Sequence, residues 1–150
     1  MNVYKWYGAA RWLYLHKIPF LPKIIKGLIR ILWAAVIPYQ ADIGKGTTFG
    51  YQGLGVVVHK SAKIGSQCHI GQNVTIGGTS GKEKVPVIGD RVYVGVNSAV
   101  IGPITIGDEV TIGAGAVVVD NIPNNCVVAG VPARIIKTGA PAYPGLRNDL

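Results

Sequence analysis

An aliphatic residue at every sixth position, a glycine directly after most of these, and a small or aliphatic side chain four residues further on predict an all-β solenoid. The architecture expected is a left-handed parallel β-helix of hexapeptide repeats, preceded by a short N-terminal α-helical segment. The register reads Val58, Ile64, Ile70 and Ile76, then Ile88, Val94, Val100, Ile106, Ile112 and Val118; Ile43 and Phe49 form an earlier pair with the same spacing. Glycine follows at Gly65, Gly71, Gly77, Gly89, Gly95, Gly107 and Gly113, so each hexamer is one short strand and one corner, where backbone freedom favours glycine. Ala62, Cys68, Val74, Val92, Ser98, Ile104, Val110, Ala116 and Ile122 are expected to fill the narrow interior, which makes Cys68 a core residue without a redox role. Three hexamers close a triangular coil, so residues eighteen apart stack at the strand spacing of about 4.7–4.9 Å.

Bulk properties agree with this. In 150 residues, 49% hydrophobic and 15% charged, there is room for one packed domain with short appendages. The 21 glycines and 9 prolines lack a collagen period and mark repeated tight turns, and 8% aromatic content argues against a sandwich core. The formal charge of +8 is concentrated early: Lys5, Arg11, Lys17, Lys23, Lys26 and Arg30 all precede the first acidic residue, Asp42. Neither aromatic stacking residues nor a reading motif accompanies this charge, so nucleic acid is not the expected partner. Two isolated cysteines, Cys68 and Cys126, fit a reducing, cytoplasmic setting. The chain has no run of eighteen uncharged apolar residues and no compact leader.

Three segments follow: an amphipathic helical segment over 1–38, a β-helix over 39–137 with a loop protruding at 77–87, and a flexible tail over 138–150. Within the first, Ile24, Ile25, Leu28, Ile31, Leu32 and Ala35 recur at helical spacing opposite Lys23, Lys26 and Arg30, with Pro22 as starter, Pro38 as stop and Gly27 as a weak point. This helix either covers the open end of the solenoid or makes a peripheral contact with the inner face of the cell membrane, where Trp12 and Trp33 could anchor.

Departures from the repeat mark the candidate site. His59 stands at a corner held elsewhere by glycine, and the stacking rule sets it one coil from Gly77. The register then breaks in the Gly-rich stretch GGTSGKEKVPV, so an imidazole lies beneath the root of a projecting loop. The coil ends in VVAGVPAR, followed by Ile135, Ile136 and Lys137.

The hexamers, NVTIGGTSGK at 73–82, IGDRVYVGVNSAVIGPITIGDEVTIGAGAVV at 88–118 and AGVPARII at 129–136 resemble the hexapeptide-repeat acyltransferases. Within them the chain most resembles the serine acetyltransferase-like branch that includes polysaccharide O-acetyltransferases. The resemblance implies a homotrimer with active sites between subunits and acetyl-CoA as donor. It maps CoA contacts onto Gly77, Gly78, Ser98 and Ala116, and leaves Arg134 and Lys137 either to meet the CoA phosphates or to keep the trimer's end soluble. Aligned on Gly55 and the TIGG turn, the branch's two active-site histidines fall at Gln52 and Val85, which leaves His59 as the catalytic base. Gly78 N–H is expected to stabilise the oxyanion, and Tyr51, Gln52, Asn73, Glu83 and Lys84 to contact the acceptor.

The implied reaction is acetyl-CoA-dependent O-acetylation of a sugar or polysaccharide precursor. The alternatives are a serine acetyltransferase-type small-molecule enzyme, which the two absent histidines oppose, and a non-catalytic solenoid that binds membranes or partners. A zinc enzyme on this fold needs three converging imidazoles; His16 belongs to the N-terminal segment and His69 to an outward surface, so no metal is expected.

Overall fold

The computed structural model describes residues 2–139. Two helices, α1 (Val3–Leu15) and α2 (Leu21–Trp33), precede thirteen short strands wound into a left-handed parallel β-helix and a fourteenth that folds back antiparallel. The first sheet stacks β1 (Asp42–Ile43), β4 (Lys63–Ile64), β7 (Val87–Ile88) and β10 (Thr105–Ile106). The second stacks β2 (Thr48–Phe49), β5 (His69–Ile70), β8 (Tyr93–Val94), β11 (Thr111–Ile112), β13 (Cys126–Ala129) and β14 (Arg134–Thr138). The third stacks β3 (Val57–Val58), β6 (Thr75–Gly77), β9 (Ala99–Ile101) and β12 (Val117–Val118).

Pairing is eighteen residues apart where the repeat is regular, as in Val57 with Thr75 and Ala99 with Val117. It widens where residues are inserted: Asp42 pairs with Lys63 around a 3-10 turn at Gly50–Gly53, and Lys63 pairs with Val87 around the loop that follows β6. The coil therefore tolerates insertions only at corners. Both sixfold series form one buried core: the aliphatic positions from Ile43 to Val118 and the positions from Ala62 to Ile122 all turn inward.

The corner glycines have a different cause from the one expected. Gly65, Gly71, Gly89 and Gly95 do not adopt the left-handed conformation; they lie against the next coil, and a Cβ on Gly95 would sit 2.6 Å from Ala114 N. The left-handed residues come two positions later: Gln67, Asn73, Arg91, Asn97 and Glu109 all have φ between 53° and 57°. Glycine is thus used for close stacking of coils, and side chains that tolerate the left-handed region, Asn foremost, carry the bend.

The N-terminal segment contains a helix that the periodicity over 24–37 does not reveal. α1 buries Val3, Tyr7 and Ala10, spaced for one face, over the open end of the first coil. Tyr7 Oη donates to Ala41 O at 2.7 Å and accepts from Ile43 N at 3.1 Å, satisfying the unpaired edge of β1. Burial pushes the Tyr7 phenol up to about 12. Arg11 adds bonds to Ala41 O (2.7 Å) and Asp42 Oδ1 (2.6 Å).

α2 starts with Pro22 in its first turn, as expected, but it ends at Trp33, with Ala34 left-handed at φ 51°. Pro38 is not its stop; Val36 already bridges to Val57, so the wall of the coil begins before residue 38. The buried face consists of Pro22, Ile29 and Trp33, with Ile25 partly covered. The expected apolar face instead looks outward, with Ile24, Ile31 and Leu32 between 50% and 80% exposed. No helix among the described residues is long and apolar enough to cross a membrane.

At the far end, Ile135, Ile136 and Lys137 are in a strand. They form β14, which pairs antiparallel with β13 after the Val131–Pro132 turn and covers the last coil's edge. Most of the expected tail, 140–150, lies outside the described residues.

Candidate active site

His59 follows β3, at the corner where the third sheet passes to the first. Its backbone N–H donates to Ile76 O at 2.8 Å, which sets it in register with Gly77 as the eighteen-residue rule requires. Ala62 N–H closes the corner on His59 O at 3.0 Å. The ring is half-buried and its Nδ1 accepts from Ser61 N–H at 3.1 Å. A ring in that pose carries its proton on Nε2 when neutral. His59, Lys60, Val57, Thr75 and Gly77 line an open depression of ≈ 290 Å³, whose rim on the other side is Val36, Pro38 and Lys26 of α2.

The loop 78–86 rises from this corner. Gly78 to Lys84 are exposed, whereas Val85 packs back on the core and Pro86 is buried. Gly78 faces Val85, where a Cβ would come within 3.2 Å of Cγ1. Glu83 and Lys84 therefore stand in the projecting part of the loop, and Val85 is a structural foot.

The remaining expected residues lie elsewhere. Tyr51, Gln52 and Asn73 occupy the corner between the second and third sheets, at the opposite end of the strands from His59. Tyr51 and Gln52 have φ of 47° and 59°, and Tyr51 is 77% exposed. Gln52 Oε1 accepts from Val3 N–H at 3.2 Å, so this side chain helps dock α1. Asn73 Nδ2 donates to Asn97 Oδ1 at 3.1 Å in the ladder of corner residues. Ser98 and Ala116 stack on that same corner, but both side chains are fully inside; Ser98 Oγ donates to Gly95 O at 2.7 Å. Any ligand there meets only their backbone. Gly77 and Gly78 at one corner and Ser98 and Ala116 at the other thus flank a flat strip made of Val57, Thr75, Ala99 and Val117.

Arg134 is turned away to Asp120 Oδ2 at 3.3 Å, and Lys137 sits on β14 beside Val127. Asp42 is paired with Arg11 at 2.6 Å. His69 is more than an outward surface residue: its ring stacks on Tyr93 with centroids 5.2 Å apart, Nδ1 lies 3.0 Å from Thr48 Oγ1, and burial lowers its pKa. Cys68 is buried with Sγ 3.2 Å from Gly89 O, and burial pushes the thiol up to about 11. Among the described residues no three His, Cys, Asp or Glu side chains gather at one point.

Lys26, like Lys60, lines the depression without having been assigned to it from the sequence. Its only sequence signal was membership of a basic helix face, and which wall that face meets depends on how α2 docks.

One stretch of the solenoid thus carries a histidine at one corner, a glycine-rich loop above it and a strip of strand residues beside it. Residues 86–120 match the family described as bacterial transferase hexapeptide (six repeats). The chain is 41% identical over 131 residues to a serine acetyltransferase of Synechococcus elongatus, covering 85% of this chain and 53% of that protein. It is 38% identical over 138 residues to the serine acetyltransferase of Mycobacterium tuberculosis, covering 91% and 60%. The crystal structure of a Brucella abortus serine acetyltransferase in complex with coenzyme A superposes with a TM-score of 0.84 at 31% identity, covering 91% of this chain and 55% of that one. The chain spans about half the length of the curated relatives it matches. These likenesses place the chain beside the hexapeptide-repeat transferases, with the serine acetyltransferases as its named relatives.

Proposed function

We propose that this chain transfers an acetyl group from acetyl-CoA to a hydroxyl, with His59 as the proton-handling residue. The single observation behind this reading is His59 locked in register with Gly77 at the root of the glycine-rich loop. The hydroxyl oxygen attacks the thioester carbonyl carbon, the C–S bond breaks, and the hydroxyl proton passes by way of the imidazole to the departing sulfur. Gly78 is exposed at the turn, and its N–H would be the donor to the oxyanion. Proton abstraction through Nε2 requires the ring to leave Ser61 N–H, which costs about 1 kcal/mol, a small fraction of what general base catalysis contributes. Coenzyme A would lie along the strip between the two corners, through backbone contacts at Ser98 and Ala116; that a Brucella abortus relative forms a complex with coenzyme A supports this donor. Arg134 and Lys137 would meet its phosphates only with Arg134 released from Asp120. Active sites between subunits of a homotrimer would suit a site that is open on one side.

For the acceptor, the named relatives favour serine or a compound like it over the sugar expected from the resemblance. The sugar reading keeps one observation in its favour: Gln52, at one of the branch's histidine positions, is engaged by α1, and Val85, at the other, is a packing foot, so neither supplies an imidazole. Thiol release from acetyl-CoA is expected with one acceptor from a panel of serine, sugars and nucleotide sugars. His59→Ala should reduce turnover by about 10²–10⁴ while acetyl-CoA binding is kept; near-normal turnover rules out the role of His59.

The exposed face of α2 supports a peripheral contact with an anionic bilayer, because the helix carries exposed apolar residues together with Lys23, Lys26 and Arg30 and no carboxylate. Liposome flotation should weaken when Ile31 and Leu32 are replaced by Ser; unchanged flotation removes the membrane contact.

A further inference from the structure

A second depression, of ≈ 460 Å³, adjoins that of His59. It is lined by Lys23, Lys26, Arg30, Tyr39 and Gln40, and it shares Lys26 and Val36 with the histidine's depression. The three cations fall at i, i+3 and i+7 of α2, so they form one row along the helix. They are exposed, no carboxylate lines the depression, and none of the three enters an ion pair among the described residues. Three unneutralised charges in one concavity form a positive potential well with no internal counter-charge. Gln40 belongs to the wall of the same space, and its Oε1 is the one buried side-chain polar atom among the described residues without a hydrogen-bond partner.

We propose that this depression binds the phosphate or diphosphate of a phosphorylated hydroxyl acceptor, and so delivers a neighbouring hydroxyl to His59. A triple cation row matches a multiply charged phosphoanion better than a single carboxylate, and Arg and Lys are the side chains that recognise phosphate. Lys26, standing on the rim common to both depressions, is the residue that couples the two. The inference rests on the reading of the His59 depression as the acetyl-transfer site, but the anion site itself can be tested without turnover.

The probe is inorganic pyrophosphate, titrated calorimetrically into the full chain at low and at physiological salt. Saturable binding that weakens with salt is expected, falling about tenfold or more in a Lys23→Gln, Lys26→Gln, Arg30→Gln triple variant. Acetyl-CoA binding should be retained in that variant. Absence of pyrophosphate binding, or binding untouched by the triple substitution, overturns the proposal. Equal loss of acetyl-CoA affinity also overturns it, because the row would then belong to the donor. A parallel arm uses phosphatidylglycerol vesicles: vesicle binding lost in the variant, with no pyrophosphate binding in the wild type, assigns the row to lipid headgroups instead. Failure of the acetyl-transfer reading looks different, as no acetyl-CoA binding in either protein while pyrophosphate still binds.

Discussion

The wall of the β-helix and the helix α2 have equally regular apolar periods, yet only in the wall does the period identify what is buried. Every aliphatic residue in the sixfold register from Ile43 to Val118 is inside. In α2 the period picks out Ile24, Leu28, Ile31 and Leu32, which are exposed, while Ile29 and Trp33 are covered. The difference lies in what creates the interior. A coil encloses its own core by closing on itself, so alternation along each strand is sufficient. A helix has no interior, and which side it buries is decided by the surface it meets, here the end of the first coil and α1.

The largest expected effect follows directly. Ile70→Ala should destabilise the fold by about 2–5 kcal/mol, because the coil has no way to collapse into the cavity. Ile31→Ala, at a side chain 80% exposed, should change stability by less than about 0.5 kcal/mol. Urea denaturation of the two variants measures the contrast. Comparable losses would mean that the α2 stripe is covered in solution, and the comparison between wall and helix would fail.

The contrast also explains what was legible in the sequence. Coil register, interior residues, the corner position of His59 and the loop over it all depend on separations along the chain, and a solenoid converts separation into neighbourhood. The rest depended on docking. α1 escaped notice because its buried face, Val3, Tyr7 and Ala10, is built on two small or polar-tipped residues with aromatics on several sides. Gln52 reads as a pocket residue until α1 is seen to hold its amide, and Ser98 reads as a ligand contact until its hydroxyl is seen to turn inward to Gly95 O. Lys26 reaches the site only because α2 lies across the start of the third sheet.

Glycines sharpen the same comparison with a change of sign. Gly95→Ala places a Cβ 2.6 Å from Ala114 N in the adjacent coil, where backbone must move, and an overpacking cost of about 1–3 kcal/mol is expected. Gly8 lies inside α1 with nothing within 4 Å of a built Cβ, so Gly8→Ala should stabilise the protein by about 0.5–1 kcal/mol through helix propensity. Thermal melts give both signs. Stabilisation by Gly95→Ala would show that coil stacking does not demand glycine.

The smallest effect concerns a titrating group on the wall. Burial against Tyr93 disfavours the charged form of His69 and lowers its pKa below the ordinary 6.5. The unfolded chain then binds a proton more readily than the folded one, so stability rises with pH across this interval. The contribution of His69 is full above about pH 6.5 and is lost as pH falls from there through the lowered folded value. His69→Phe keeps a ring against Tyr93 without a titrating nitrogen, although it gives up the contact with Thr48 Oγ1. Urea midpoints at pH 7.5 and pH 5 should therefore differ less in the variant than in the wild type. Because carboxylates contribute equally to both proteins, the difference between the two pH dependences isolates His69. If it vanishes, the His69 ring is as well solvated as a histidine on a helix surface, and the stacked second sheet does not desolvate its outward side chains.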